Sequence, residues 1–362
     1  MSPGTAPDSA AESLADRLRR DVERNLVRAR NGLKHLSGVG RPEVGASPKD
    51  VVWQRGKVQL FRYRSDSRCF SPPILLVMSL VSKPYVLDLR PNNSFIEALL
   101  RRGHDVYMLD WGTPDAADAA NSLETYCDEL IPFAAVVAMR TSRARGVHVF
   151  GYCLGGLMAL VFAGGHPEIP LRSLSLLATP VDMREMGSIP MLLSQESALP
   201  DDFLDETGNV PSQTVVRGVS SLAVTGKVAA YATLLENLDN SEFLAAHQAM
   251  HGWANDHIPF PGSTFRQITD WLVKDNQLAE NRLVTGCGPV DLGAIECPVL
   301  NIVGERDHMV GPEANSPISK HIPHAETMSL PAGHAGLIIG SRAHRTYIPA
   351  MAEWIERHSD RI

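Results

Sequence analysis

Cysteine is scarce in this chain. There are five (Cys69, Cys127, Cys153, Cys287 and Cys297) in 362 residues, an odd number with no C-x-x-C pair. That argues against a disulfide framework and against a structural zinc site, so no metal ligand is expected from spacing, and reduced cytoplasmic thiols fit the count best. An excess of positive charge is also missing. The formal net charge is −7 and the pI about 6.0, so no basic domain argues for nucleic acid. The first residues lack the apolar core of a signal peptide. The one long apolar run, at 147–163, is interrupted by Gly151, Gly155 and Gly156, which makes a membrane-spanning helix a poor reading of it. No phosphate-cradling loop, zinc finger or internal repeat is present. What remains is 44% hydrophobic and 21% charged residues, enough to bury a sizeable globular core.

The run at 147–163 is the most informative stretch. It reads as a buried strand, a glycine-flanked turn and an apolar helix, with the pattern Gly151-x-Cys153-x-Gly155 at the turn. This is the nucleophile elbow of an α/β-hydrolase with Cys in place of the usual Ser. The elbow holds its central residue in a strained conformation at a helix N-terminus, where the dipole favours a thiolate.

Around it, strands alternate with helices. Strands are expected at 58–63, 73–81, 105–110, 147–152, 171–178, 298–303 and 326–330, and helices at 94–102, 125–141 and 347–358. This rhythm predicts an α/β fold, a mostly parallel sheet with helices on both faces. Between Pro180 and about Asp291 it breaks into helix-like pieces and proline loops, which reads as a cap inserted after the strand at 171–178. The expected organisation is a tail and amphipathic helix at 1–48, a core at 49–182 and 291–362, and the cap at 183–290. Residues 1–12 are small and polar and read as disordered. The helix at 13–36 has Leu14, Leu18, Val22, Leu26, Leu33 and Leu36 near helical spacing, with a basic opposite face. It serves either as a docking helix or as an ordinary edge helix with a solvated face.

In hydrolases of this kind the nucleophile, acid and histidine follow in that order along the chain. Asp307 lies just past the strand at 298–303 and His334 just past the strand at 326–330. Both sit at carboxyl ends of strands, where active groups gather in open parallel sheets. Cys153 would attack an acyl carbonyl as a thiolate, and His334 would take the thiol proton and later activate the second substrate. Asp307 would fix the imidazole tautomer or act on the incoming hydroxyl. Asp182 is the competing acid and is ranked below Asp307; His308, beside Asp307, reads as a residue that supports the site or as a packing residue. The oxyanion needs backbone N–H donors, one from Leu154 and one from the loop after the strand ending near Val81. A thiol nucleophile suits a thioester donor, because the acyl-enzyme stays a thioester and remains activated for transfer to a hydroxyl.

Several stretches together resemble the polyhydroxyalkanoate synthases, most closely the shorter kind that works with a separate partner subunit. They are Leu80-Val-Ser-Lys-Pro-Tyr-Val-Leu-Asp-Leu89, Asp105-Val-Tyr-Met-Leu-Asp-Trp-Gly-Thr-Pro114, Gly151-Tyr-Cys-Leu-Gly-Gly156 and Ala178-Thr-Pro-Val-Asp182. Further along come Trp253-Ala-Asn-Asp256 with Pro261-Gly262, Val290-Asp-Leu-Gly-Ala294, Pro298-Val-Leu-Asn-Ile302, Asp307-His308 and Gly333-His334-Ala-Gly336. The resemblance implies a Cys–His–Asp enzyme that polymerises (R)-3-hydroxyacyl-CoA and releases CoA. Cys153 would carry the growing chain, Asp307 would support the attacking hydroxyl, and Val81 would supply the second oxyanion N–H. No cofactor is implied, since the CoA thioester is the substrate. The implied partners are a second synthase subunit, a homodimer mate through the cap, and the polyester granule surface. Asp110 and Trp111 fall in a matching stretch and read as fold-supporting. Two departures stand out: Gly311 where the family more often has proline, and Ala332 where it often has glycine. A thioesterase, a small-molecule acyltransferase and a non-catalytic granule-surface protein are the alternative readings.

Overall fold

The computed structural model describes residues 43–65, 67–187, 200–222 and 237–362, together with 25–31 and a few single positions (19, 22, 23, 193, 234 and 235). The expected tail at 1–12, most of the expected helix at 13–36 and parts of the expected cap lie outside the described residues.

Eight strands form the main sheet: β1 (Lys49–Arg55), β2 (Val58–Tyr63), β3 (Ile74–Val77), β4 (Val106–Asp110), β5 (Val147–Tyr152), β6 (Leu171–Leu177), β7 (Val299–Gly304) and β8 (Glu326–Leu330). Their spatial order is β1-β2-β4-β3-β5-β6-β7-β8. The first two strands are antiparallel to their neighbours and all later pairings are parallel. The central strands β3, β5 and β7 are buried at every residue. Helices on both faces exclude water from such strands, so they read as continuous apolar runs.

Five helices matter for the site: α1 (Phe95–Arg101), α2 (Ile131–Ser142), α3 (Leu154–Gly165), α4 (Pro312–His321) and α5 (Ile348–Arg357). The Ser94 hydroxyl caps α1 by accepting from the Glu97 amide. A π-helical turn, Thr125–Leu130, runs directly into α2. Helix α3 is buried from Leu154 through Gly164, so it is a core helix with no solvated face.

Two expectations need refinement. The strand expected at 73–81 pairs only through Val77; residues 78–80 are buried yet form a loop packed under other segments. Strand β1 carries no buried position, and its weak pattern hid it in the sequence.

The chain divides into two compact units, one of residues 1–42 and 225–249, the other of 43–224 and 250–362. In the first, residues 25–31 are helical, the Asn31 amide donates to the Leu238 carbonyl at 2.9 Å, and Val22 and Leu26 are exposed. The second contains the whole sheet. Among the described residues no helix is long and apolar enough to cross a membrane.

Candidate active site

Cys153 stands between β5 and α3 with φ of 55° and ψ of −124°, a left-handed conformation that L-residues rarely adopt. Packing enforces it. A Cβ on Gly155 would lie 2.2 Å from the Val77 carbonyl oxygen, and one on Gly151 would lie 2.5 Å from the Gly156 Cα. The Cys153 amide donates to Leu177 O at 2.9 Å, and its carbonyl accepts from the Gly156 and Leu157 amides. The turn is therefore pinned from both sides, and the thiol is half-buried at the first turn of α3.

Asp307 and His334 meet this thiol from the ends of β7 and β8. His334 Nδ1 lies 2.7 Å from Asp307 Oδ2. The Asp307 side chain is fully buried and the His334 side chain nearly so. The other carboxylate oxygen, Oδ1, accepts from the Met309 and Val310 amides at 2.9 and 3.0 Å. Burial works against ionisation of Asp307, but the His334 ring and these two amides overcome it and hold the carboxyl below its ordinary range. Burial likewise opposes a charge on His334. The Cys153 charge and hydrogen bonds to Asp307 and Cys153 outweigh it and raise its pKa to about 10. Imidazole and carboxylate thus form a hydrogen-bonded pair whose ring also feels the Cys153 charge. Its acid is held ionised, and its histidine is stabilised as a cation when it faces a thiolate.

Tyr152, one residue before the nucleophile, went unassigned in the sequence. It is buried, its ring stacks on the His334 ring with centroids 5.1 Å apart, and its hydroxyl donates to the His334 carbonyl at 3.3 Å. It fixes the face of the imidazole that the Asp307 bond leaves free to swing. Only the adjacency of an aromatic residue to the elbow could have signalled this.

The competing acid is engaged elsewhere. Asp182 Oδ1 accepts from the Arg184 amide, and Oδ2 from the Asn276 side chain at 3.2 Å, so it caps a turn. His308 is exposed. Asp110 accepts from the Gly112 amide, and the Trp111 indole N–H donates to Met78 O at 2.9 Å. The Trp111 bond braces the loop that leaves β3.

Leu154 is the first residue of α3, so its N–H belongs to the donors without intrahelical partners. Val81 is not hydrogen-bonded to the Cys153–His334–Asp307 group. Its N–H reaches Ser79 Oγ only at 3.5 Å, and its carbonyl accepts from His257 Nδ1 at 2.8 Å and the Ile258 amide at 3.2 Å. Beside it, the Asp256 carboxylate takes the Lys83 ammonium at 2.7 Å and the Tyr85 hydroxyl at 2.9 Å, and the Trp253 indole donates to Lys83 O. Residues 253–258 therefore clamp the loop after β3. The sequence placed both stretches in shared motifs but gave no sign that they touch.

The other cysteines are poor nucleophile candidates. Burial raises the thiol pKa of Cys127, and that of Cys297 to about 12. Partial desolvation and the carboxylates of Asp128, Glu168 and Glu129 raise that of Cys287. Cys69 is exposed, its thiol 3.9 Å from the Ser67 carbonyl.

The alpha/beta hydrolase fold model matches residues 72–341, and the model for the poly-beta-hydroxybutyrate polymerase (PhaC) N-terminus matches residues 8–99. The poly(3-hydroxyalkanoate) polymerase subunit PhaC of Haloferax mediterranei is 33% identical over 89% of this chain, which spans 66% of that protein. The subunit of the same name from Thiocystis violacea is 30% identical over 95% of this chain and 98% of its own length. A solved structure from Sulfolobus solfataricus covers 87% of this chain and 96% of its own, with a TM-score of 0.56 at 14% identity, a likeness of fold alone.

Proposed function

The chain belongs to the poly(3-hydroxyalkanoate) polymerase (PhaC) family, built on the α/β-hydrolase fold, and from that premise we propose that it is a polyhydroxyalkanoate synthase acting on (R)-3-hydroxyacyl-CoA. The observation that carries the mechanism is the hydrogen bond of His334 Nδ1 to Asp307 Oδ2 at 2.7 Å, on an imidazole whose pKa the Cys153 charge also raises.

In the proposed reaction, the Cys153 sulfur attacks the thioester carbonyl while its proton passes to His334. The C–S bond to CoA breaks, and the CoA sulfur takes that proton as it leaves, giving an acyl-Cys153 thioester. His334 then accepts the proton of a 3-hydroxyl group, whose oxygen attacks the acyl-Cys153 thioester; as the new ester bond forms, the bond from the acyl carbon to the Cys153 sulfur breaks and His334 returns the proton to that sulfur. Asp307 is given the orienting role. Both of its oxygens already accept hydrogen bonds, from His334 and from two amides, which leaves the imidazole as the base nearest the reacting groups. The Leu154 and Val81 amides are the proposed oxyanion donors, the second held in place by the clamp of residues 253–258. A second synthase subunit, a dimer mate and the granule surface are the proposed partners.

The test is to give the purified protein (R)-3-hydroxybutyryl-CoA, with and without a candidate partner subunit, and follow free thiol and insoluble polyester together. Both should rise in step. Thiol release with only soluble product would replace the synthase reading with that of a thioesterase or a small-molecule acyltransferase. No thiol release in either condition would favour a non-catalytic granule protein.

A further inference from the structure

Helix α3 has a second cluster of reactive groups at its other end. His166 caps its C-terminus. Asp128 projects from the π-helical turn before α2, and Cys287 sits in the turn of a small hairpin joining Val284–Thr285 to Gly288–Pro289. One donor atom from each of the three lies within 4.8 Å of the other two.

The hydrogen bonding of His166 is the informative detail. Its Nδ1 lies 2.9 Å from Glu168 Oε1, so in the neutral ring the single N–H is directed to that carboxylate. The lone pair of Nε2 then faces Asp128 Oδ1, another acceptor, at 3.4 Å. That distance is long for a hydrogen bond between an imidazole and a carboxylate. It matches two ligands of one ion: donors about 2.0–2.1 Å from a tetrahedral zinc stand about 3.3–3.4 Å apart. An outer carboxylate on Nδ1–H with Nε2 turned to a metal is the arrangement that orients metal-bound histidines. Cys287 lies on the open side, exposed, with its amide donating to the other Asp128 oxygen at 3.3 Å.

We propose that Asp128, His166 and Cys287 form a binding site for a zinc-class divalent cation, with Glu168 orienting the histidine and solvent completing the coordination. A sulfur, an imidazole and a carboxylate favour zinc over the oxygen-seeking calcium and magnesium. The site would join three segments distant in sequence: the π-helical turn, the end of α3, and the hairpin that leads from the cap back to β7. Its role is structural, since it lies one helix length, about 18 Å, from the nucleophile. Spacing could not reveal it, because Asp128 lies 38 residues from His166 and 159 from Cys287.

The test uses the full chain, stripped with chelator and titrated with cobalt(II) as a spectroscopic probe and with zinc in competition. One cobalt per chain should bind, with a thiolate-to-metal charge-transfer band. Cys287→Ser should abolish the band and weaken zinc binding at least tenfold; Cys287 is exposed, so this change leaves the fold intact. Glu168→Gln should weaken zinc by about 10- to 100-fold. Zinc at a hundredfold excess over the wild-type Kd should raise the melting temperature by about 3–4 °C in the wild type and by about half of that or less in Cys287→Ser. Absence of stoichiometric binding, a band that survives Cys287→Ser, or a band that disappears in Cys153→Ala would each overturn the proposal.

Discussion

At the N-terminal end of α3 a histidine lies between a carboxylate and a sulfur, while at the C-terminal end a histidine lies between two carboxylates and the sulfur faces one of them. The residue types are the same and the chemistry is not. At the first end the Cys153 charge and a single buried acid favour positive charge on the ring. At the second, the negative end of the helix dipole and several carboxylates favour a cation, and desolvation together with those carboxylates pushes the Cys287 thiol away from ionisation. Reactivity follows from where the charges stand rather than from which side chains meet.

The sharpest way to break this contrast is to exchange the roles of the two sulfurs. Cys153→Ala should reduce thioester cleavage by about 10⁴-fold or more, while Cys287→Ser leaves the rate within about twofold. The comparison fails if the two variants lose activity alike. Cys153→Ala should also lower the pH at which His334 titrates, read by NMR of the ring protons, because the Cys153 charge is the largest influence raising it.

The next largest effect is expected from Asp307→Asn, a fall in kcat of about 10²- to 10⁴-fold as the imidazole loses its tautomer and orientation. Its stability signature depends on pH. The depressed Asp307 pKa contributes stability that is complete above the ordinary value of 3.8 and lost as pH falls through the lower folded value. The raised His334 pKa contributes stability that is complete below the ordinary 6.5 and lost as pH rises through about 10. Denaturant titrations of wild type and Asp307→Asn should therefore differ most between pH 4 and 6.5, with the difference lost as pH falls below that window and reduced as it rises toward 10. A difference that does not change with pH would contradict this.

Two glycines compare the ends directly. Gly155→Ala forces a Cβ to 2.2 Å from a backbone oxygen and should give insoluble or inactive protein. Gly165→Ala meets only Val290 Cγ2 at 3.8 Å, so calorimetry should show a change of about 1 kcal/mol or less, in the stabilising direction. A smaller test within the active site is Tyr152→Phe, which removes one 3.3 Å hydrogen bond and keeps the ring stack. It should cost a few-fold in kcat with KM nearly unchanged; a fall as large as that from Asp307→Asn would make Tyr152 more than a support.

The sequence made one end of α3 legible and not the other, for physical reasons. The elbow is a local pattern: a strand run, two glycines that packing requires, and a helix run lie side by side. Asp307 and His334 follow strands, and chain order together with the carboxyl ends of the sheet located them. Tyr152 is adjacent to the elbow, yet its part depends on a ring stack that no spacing encodes. Asp256 and His257 act on a loop more than 170 residues away in sequence. Residues 78–80 read as strand because they are apolar and buried, but packing rather than pairing buries them. Asp128, His166 and Cys287 share no period, motif or element, and only the folded chain brings them together.

The account rests on one sulfur, and peptide mapping by mass spectrometry after brief mixing with (R)-3-hydroxybutyryl-CoA tests it most directly. It predicts a hydroxyacyl adduct on the peptide containing Cys153, formed together with free CoA and absent from the peptide containing Cys287. CoA release with Cys153 unmodified, or an adduct that persists in Cys153→Ala, would contradict it.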